Sequence, residues 1–249
     1  MPDTPVVEVK NLSVRYNEAL ILDDISFSVK AGERFVIVGG SGSGKSTLMR
    51  HMIGLESPDQ GQVLINGTDM TCCSGSAFHD ALRKIGVLFQ GSALLGSMTV
   101  GENVALPIME FTDLPKTAIA SMVRMKLSLV DLECYEDHLP SEISGGMRKR
   151  AGLARAIALN PSILFLDEPS AGLDPITAAE IDDLIRHINQ SMGTTMIIVT
   201  HELESIFNLA QRLIMLEKTS KRIIAEGTPA DLKQNSTEPL VKRFFSPRQ

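Results

Sequence analysis

The sequence has few cysteines, and their arrangement argues against two kinds of site. They are Cys72, Cys73 and Cys134, an odd number in which two are adjacent and no C-x-x-C spacing occurs. Such a set indicates neither a disulfide framework nor a zinc site, so we expect a reducing compartment. No apolar run approaches the length of a membrane span, and Met1–Pro5 lacks the basic and apolar regions of a signal peptide. We therefore expect a cytoplasmic protein, which other chains must bring to a membrane if it works at one.

Basic residues are in deficit as well. The chain has 24 Lys and Arg against 30 Asp and Glu, a formal net charge of -6 and a pI of about 5.4. A duplex-binding surface needs a basic stripe, so this balance argues mildly against nucleic acid as the main partner. With 249 residues, 43% of them hydrophobic and 22% charged, the chain suits one large domain or two small ones.

The most informative stretch is a glycine-rich loop that follows the apolar run Phe35–Val38. Gly39, four further residues and then Gly44-Lys45-Ser46 fit the P-loop pattern G-x-x-x-x-G-K-[ST]. Glycine lets backbone N–H groups turn inward around a phosphate, and a helix beginning near Gly44 adds its positive N-terminal end. Lys45 is predicted to contact the β- and γ-phosphates, and Ser46 to bind Mg²⁺. The loop residues predicted to bind nucleotide are Gly39, Ser41, Gly42, Ser43, Gly44, Lys45, Ser46 and Thr47.

The other patterns predict an α/β P-loop NTPase with a mostly parallel core sheet. Short strands at Val6–Lys10 and Leu12–Tyr16, separated by Asn11, indicate a small antiparallel sheet ahead of the loop. Residues 91–160 carry helical patterns and little strand signal, so we expect an inserted helical subdomain there. We predict a single domain: 1–90 and 161–235 form the core with its β subdomain, 91–160 the helical subdomain, and 236–249 a short C-terminal helix.

Two carboxylates end the apolar strand that begins at Ile163. Such a strand delivers its last residues to the carboxyl edge of a parallel sheet, where ligands bind. Asp167 is predicted to orient Mg²⁺ or its water, and Glu168 to polarise the water that attacks the γ-phosphate. An ordinary strand end with solvated acids is the alternative, and the pairing with a P-loop argues against it.

A second small-residue segment, Ser144-Gly145-Gly146, precedes a helix predicted from Met147. Exposed N–H groups at a helix N-terminus suit a phosphate. Taken by itself, however, the segment is more typical of a helix start that Ser144 caps.

Several motifs together resemble the nucleotide-binding subunits of ABC transporters, and the resemblance covers nearly the whole chain. Beyond the P-loop and Ile143–Met147, the motifs are Gln90, Leu166–Pro169, Ser170–Asp174 and His201. The resemblance implies the ABC ATPase fold, ATP hydrolysis with Mg²⁺, and a homodimer that sandwiches two ATP molecules. Each site would combine one chain's P-loop with the other chain's Ser144, Gly145 and Gly146.

The resemblance assigns four further residues. It implies that Tyr16 stacks on adenine, although a strand aromatic remains the alternative. Gln90 would link Mg²⁺ to the helical subdomain, and His201, which could also be a turn residue, would contact the γ-phosphate. Asp174 would lie in the loop that crosses the dimer seam. Catalysis would then depend on Glu168, His201 and Lys45, and the metal on Ser46, Gln90 and Asp167.

The segment after the glycine pair departs from the common pattern. Met147 stands where glutamine is usual, and methionine cannot make the hydrogen bonds of a glutamine amide. Met147 with Arg148-Lys149-Arg150, together with Gly172–Ala178, resembles the Mla/Mce-associated phospholipid-transport ATPases, the MlaF-like group. This implies a subunit on the cytoplasmic face of the bacterial inner membrane that powers lipid transport through a permease. Its further partners would be an Mce-domain protein and, in some relatives, a STAS-domain regulator. A small-solute transporter and a cofactor-assembly ABC ATPase are the alternatives.

The tail carries a helical pattern. Thr237-Glu238-Pro239 is typical of a helix start, with Thr237 as a cap. Leu240, Val241, Phe244 and Phe245 then fall on one face, and the two phenylalanines are expected to pack on their own subunit without tail exchange in the dimer.

Overall fold

The computed structural model describes residues 5–246. By its internal contacts the chain divides into two units, each described here by itself: the residues up to Ala81 with those from Thr195 onward, and Leu82–Thr194. Among the described residues, no helix is both long and apolar enough to cross a membrane. Strands and helices are numbered along the chain.

The first unit contains an antiparallel sheet in the order β2-β1-β4-β5. Its strands are β1 (Pro5–Tyr16), β2 (Ala19–Lys30), β4 (Gln60–Ile65) and β5 (Thr68–Asp69). The predicted break at Asn11 is wrong, because β1 continues through it. Asn11 instead has a φ of 49° beside a shift in register, and its side-chain amide donates to Asp24 at 2.8 Å. This geometry is that of a bulge, which bends a strand without ending it.

The first unit also holds the parallel strands that carry the P-loop. β3 (Arg34–Gly39) pairs in parallel with β8 (Thr195–Val199) on one side and β9 (Arg212–Leu216) on the other, and β10 (Ile223–Gly227) is antiparallel to β9. Every residue of β3 after Arg34 is buried, as its apolar run predicts. The helices are α1 (Lys45–Met52), α2 (Gly75–Leu82), α7 (Leu203–Leu209), α8 (Pro229–Asn235) and α9 (Pro239–Phe245).

The second unit pairs two parallel strands, β6 (Ile85–Leu88) and β7 (Ile163–Asp167). Its helices are α3 (Val100–Phe111), α4 (Lys116–Ser128), α5 (Gly145–Ala156) and α6 (Pro175–Met192), and two 3-10 turns cover Glu133–Tyr135 and Pro140–Glu142. Residues 91–160 are described throughout and contain no strand. The parallel strands, the antiparallel sheet and the helices confirm the predicted α/β class, while the domain boundaries stay a prediction.

Two predicted helix starts are wrong by one or two residues. α5 begins at Gly145 and not at Met147, because Ser144 caps it by accepting a hydrogen bond from the Met147 N–H at 3.2 Å. In the tail, Glu238 and not Thr237 takes the N-cap position of α9, and its side chain makes no capping hydrogen bond. The last three residues of the predicted 236–249 segment lie outside the described residues, as do residues 1–4.

Candidate functional site

In the first unit, the P-loop backbone takes conformations that require glycine. Gly39 has a φ of 153° and Gly44 a φ of 95°. A Cβ at Gly39 would lie 2.5 Å from the Leu216 carbonyl oxygen, and one at Gly44 would lie 2.7 Å from Leu22 Cδ2. Both distances are far below van der Waals contact, so a larger residue would displace backbone at Gly39 and the Leu22 side chain at Gly44, and the positive φ angles would strain it at both positions.

Lys45 is the first residue of α1, and its side chain folds back over the loop. The ammonium donates to the Gly39 carbonyl oxygen at 2.9 Å and to that of Gly40 at 3.3 Å. A cation is therefore held over the loop, where an anion would be favoured. The Ser43 hydroxyl is buried and has no hydrogen-bond partner among the described residues. A buried hydroxyl of this kind suits a loop whose partner is a bound anion.

Tyr16 ends β1 next to the helix that follows the P-loop. Its ring is 40% exposed, and its hydroxyl donates to the Glu56 carboxylate. Thr47 and Arg50 of α1 also contact this hydroxyl. Partial burial and the neighbouring Glu56 carboxylate raise the pKa of Tyr16, so the phenol stays neutral. An exposed neutral ring beside the P-loop helix can stack on a flat base. Tyr16 is also a residue of strand β1, so a position in a strand and a contact with adenine do not exclude each other.

His201 lies two residues beyond the end of β8 and is exposed. β8 pairs with the P-loop strand β3, with Val199 opposite Ile37. Because parallel strands end at the same edge, His201 lies on the edge from which the P-loop also starts. The first unit therefore places Tyr16 against the helix that follows the P-loop and His201 at the sheet edge where the loop begins, while their roles stay a prediction.

In the second unit, the two carboxylates at the end of β7 have different surroundings. Asp167 is the last residue of the strand and is half-buried. Glu168 is only 7% exposed and has a φ of 49°. A left-handed backbone costs a residue with a side chain about 1–2 kcal/mol. The alternative of two solvated acids at a strand end is therefore wrong for Glu168, and such local strain is concentrated at functional sites.

The side chain of Lys149 accounts for part of this arrangement, and its contacts were not predicted from the sequence. Lys149 lies on α5, is 6% exposed, and donates to the carbonyl oxygens of Gln90 at 2.6 Å and Glu168 at 2.8 Å. Gln90 itself is exposed, two residues after β6. A helix from residue 145 places Lys149, Gly152 and Arg155 on one face, and this spacing is the signal that could have indicated the contact.

The N-termini of α5 and α6 lie side by side. A Cβ on Gly146 would be 2.7 Å from Thr177 Cγ2, and one on Gly145 would be 3.7 Å from Leu173 Cδ2. Asp174 caps α6 by accepting from the N–H groups of Ile176 and Thr177 and from the Thr177 hydroxyl. The Thr177 hydroxyl bond, followed by the backbone bonds, lowers the pKa of Asp174. Ser144, Gly145, Gly146 and Asp174 are thus close together, where two helix N-termini favour an anion.

The residues predicted to hold Mg²⁺ are oxygen donors. Ser46 offers a hydroxyl, Gln90 an amide oxygen and Asp167 a carboxylate, which are the hard ligands that Mg²⁺ prefers. Within the described part of the chain, no group of three or more His, Cys, Asp and Glu side chains could hold a metal by itself. The donor set therefore fits a metal that also takes ligands from a phosphate substrate and from water.

Comparisons with known proteins show the family to which the chain is similar. A family model described as "ABC transporter" matches residues 22–171, which is more than half of the chain. The "Probable ribonucleotide transport ATP-binding protein mkl" of Mycobacterium leprae (strain TN) is 40% identical over 249 residues, 100% of this chain and 71% of the relative. The "Intermembrane phospholipid transport system ATP-binding protein MlaF" of Haemophilus influenzae (strain ATCC 51907 / DSM 11121 / KW20 / Rd) is 39% identical over 237 residues, 95% of this chain and 89% of the relative.

A solved structure has the same fold. The ATP-binding cassette MJ0796, in a dimeric post-hydrolysis state bound to ADP and Pi, superposes with a TM-score of 0.81. The two share 30% identity, over 89% of this chain and 98% of the cassette. The predicted ABC ATPase fold is confirmed, and the same matches support ATP binding and hydrolysis. The chain belongs to the ABC transporter family and is an ATPase of that family.

Proposed function

We propose that this ATPase powers phospholipid transport between bacterial membranes through a partner permease. The observation that carries the proposal is the similarity to MlaF, a phospholipid transport ATP-binding protein, over 95% of this chain and 89% of the relative. Met147, in place of the usual glutamine, supports the same group. The relative named for ribonucleotide transport is 40% identical over 100% of this chain and 71% of its own length, and it supports a small-solute transporter as the second candidate. A cofactor-assembly ATPase is the third.

In this proposal, residues of the first unit bind the nucleotide. Lys45 contacts the β- and γ-phosphates, and its present bonds to Gly39 and Gly40 keep the ammonium over the loop. The other P-loop residues, Gly39–Thr47, donate backbone and hydroxyl groups to the phosphates. Tyr16 stacks on adenine, and His201 contacts the γ-phosphate.

Residues of the second unit carry the hydrolytic step. Glu168 polarises the attacking water, and burial of its side chain limits competing solvent. Asp167 and Gln90 of this unit, and Ser46 of the first unit, would be the ligands of Mg²⁺, which when bound would neutralise charge on the phosphates. Gln90 also links the nucleotide to residues 91–160, proposed as a helical subdomain within one ABC domain whose core is 1–90 and 161–235.

A second copy of the chain completes each site. The partner subunit's Ser144, Gly145 and Gly146 contact the γ-phosphate through the start of α5, and Asp174 lies at the dimer seam. The pairing of Ser144–Gly146 with the start of α6 within one unit supports this assignment, because both helix ends can act on one anion. MJ0796 was solved as a dimer, which supports the same assembly here.

We propose that the permease docks on the second unit. Through this contact the chain would lie on the cytoplasmic face of the inner membrane. An apolar groove of about 440 Å³ there is lined by residues of β6, α3 and α5, including Val87, Leu106 and Phe111, and by Leu159, which follows α5. Met109, on the same helix α3, is 61% exposed. A short amphipathic helix of a membrane protein would cover these groups. An Mce-domain protein and a STAS-domain regulator complete the proposed partner set.

The cargo is tested by purifying the full chain with its native membrane partners and analysing the bound lipid. Phospholipid that copurifies with a multi-span permease, and whose transfer between vesicles requires ATP, is the expected result. A permease complex that moves a small solute and no lipid would favour the second candidate. A complex without any membrane subunit would favour the third.

The catalytic assignment is tested by Glu168→Gln. The amide keeps the shape of the side chain but is a far weaker base, so we expect the variant to bind ATP, hydrolyse it at a small fraction of the wild-type rate and accumulate as an ATP-bound dimer. ATP turnover and sizing with and without ATP provide the measurements. Near-normal turnover would remove Glu168 from this role.

A further inference from the structure

Lys149 is a buried cation whose hydrogen bonds go to two main-chain carbonyls. Only 6% of the residue is exposed, and the ammonium lies 2.6 Å from the Gln90 oxygen and 2.8 Å from the Glu168 oxygen. Removing an ammonium from water is costly unless hydrogen bonds replace its hydration. An apolar side chain of similar length would fill the same volume at lower cost. The polar contacts of Lys149 therefore indicate a role beyond packing.

The contact to Glu168 acts on the strained part of the backbone. The Glu168 carbonyl accepts from Lys149 and also from the Ala171 N–H at 3.3 Å, and the φ of Glu168 is 49°. Two donors on one carbonyl fix the orientation of that peptide. Because the Glu168 side chain branches from the same Cα, the direction of its carboxylate depends on this peptide.

The contact to Gln90 belongs to a wider face of α5. Six residues after Lys149, Arg155 donates to the carbonyl oxygens of Ser92 and Ala93, both at 2.7 Å. Ser92 and Ala93 also have left-handed backbones, with φ values of 61° and 48°. Between the two cations, a Cβ on Gly152 would lie 3.1 Å from Ser92 Cβ. α5 thus fixes the turn after β6 at both ends.

We propose that Lys149 is a positioning residue that orients Glu168 and Gln90 from α5. The inference rests on the proposed function, in which Glu168 is the base and Gln90 contacts the metal. The same helix begins at Ser144, Gly145 and Gly146, which are proposed to contact the partner's ATP. A single side chain then connects the start of α5 to the hydrolytic carboxylate, so hydrolysis responds to the position of that helix.

The test replaces Lys149 in the full-length chain and measures ATP turnover with Mg²⁺. Lys149→Met keeps the volume and removes all donors, and we expect kcat to fall about 10–100-fold, as for loss of other positioning contacts. KM for ATP should stay within about twofold, because the Lys149 hydrogen bonds to Gln90 and Glu168 act on the hydrolytic carboxylate and on the turn after β6. Lys149→Arg retains donors for both carbonyls, so its kcat should be at least about threefold higher than that of Lys149→Met. If Lys149→Met does not fold, Lys149→Leu takes its place with the same expectation, because leucine also lacks donors.

Lys126→Met is the matched control. Lys126 is another buried lysine of the second unit, 1% exposed, but its ammonium contacts the Asn160 side chain. We expect its kcat to stay within about twofold of wild type even if melting changes. Amide hydrogen exchange adds a readout that turnover cannot give. The Ser92 and Ala171 amides donate to the Phe89 and Glu168 carbonyls, and both should lose protection in Lys149→Met and keep it in the control.

Two outcomes would overturn the inference. One is a kcat for folded Lys149→Met within about twofold of wild type, and the other is an equal loss in Lys126→Met, which would indicate general destabilisation. Combination with Glu168→Gln separates this inference from the proposed function. If Glu168 is the base, adding Lys149→Met to Glu168→Gln should cause little further loss. Normal turnover of Glu168→Gln alone would instead remove the catalytic assignment itself.

Discussion

Removal of the Phe245 ring should destabilise the tail of the chain, and the structure gives the magnitude. α9 has seven residues, too few for a stable isolated helix, so packing must hold it. Phe245 is 4% exposed, and its ring lies edge-on to Phe207 and Phe244, with centroid distances of 5.8 and 5.2 Å. Phe245→Ala leaves a cavity and removes both ring contacts, which costs about 3–5 kcal/mol.

Phe244 is the control, because it is only half-buried on the same helix. We expect Phe244→Ala to cost about 1 kcal/mol, since much of its ring already contacts water. In a chain of this size, each kcal/mol lowers the melting temperature by about 2–4 °C. Phe245→Ala should therefore melt about 6–20 °C below wild type if α9 unfolds with the rest of the chain.

A terminal helix can also detach first, and the loss in melting temperature is then limited to the free energy of detaching it. Hydrogen exchange distinguishes the two cases, because the Lys242 and Ser246 amides donate within α9 to Glu238 and Lys242. Both should lose protection in Phe245→Ala. Unchanged melting together with unchanged exchange would refute the packing argument. Unchanged melting with loss of ATP-dependent dimerisation would identify the ring as an interface residue.

Two further changes test the P-loop and a pH-sensitive turn. Lys45→Ala should lose nucleotide binding while its circular dichroism stays that of the wild type, because alanine is a good helix former at the start of α1; an unfolded variant would show that Lys45 is structural. The backbone N–H groups of Ser220 and Thr219 lower the pKa of Glu217 from 4.5 to about 2. Because the folded-state pKa is the lower one, the stabilisation is complete above about pH 4.5 and disappears as the pH falls towards 2. The difference in melting temperature between wild type and Glu217→Gln should therefore be largest at neutral pH and should shrink as the pH falls from about 4.5 to 2. A difference that grows in acid would contradict this assignment.

The local features of this protein could be predicted from its sequence. The P-loop is contiguous, and the conformations of Gly39 and Gly44 follow from residue types that occur side by side. The buried strands β3, β7 and β8 and the helix α6 follow from apolar runs and periodicity, which depend on neighbours within a few residues. For the same reason, Asp167 and Glu168 could be assigned to a strand end, and Ser144 to a helix start.

The tertiary structure decided the features that join distant residues. Lys149 contacts carbonyls 59 and 19 residues away, and nothing in a local pattern specifies which carbonyls an ammonium will reach. The left-handed backbone of Glu168 is likewise unfavourable for its residue type, so local preference predicts the opposite, and contacts from α5 and Ala171 accompany it. At Asn11, hydrogen bonds to β2 keep the strand continuous through a residue that favours a turn. At Glu168 and Asn11, hydrogen bonds to distant residues accompany a backbone conformation that local preference disfavours by about 1–2 kcal/mol, which is why only the folded chain reveals the result.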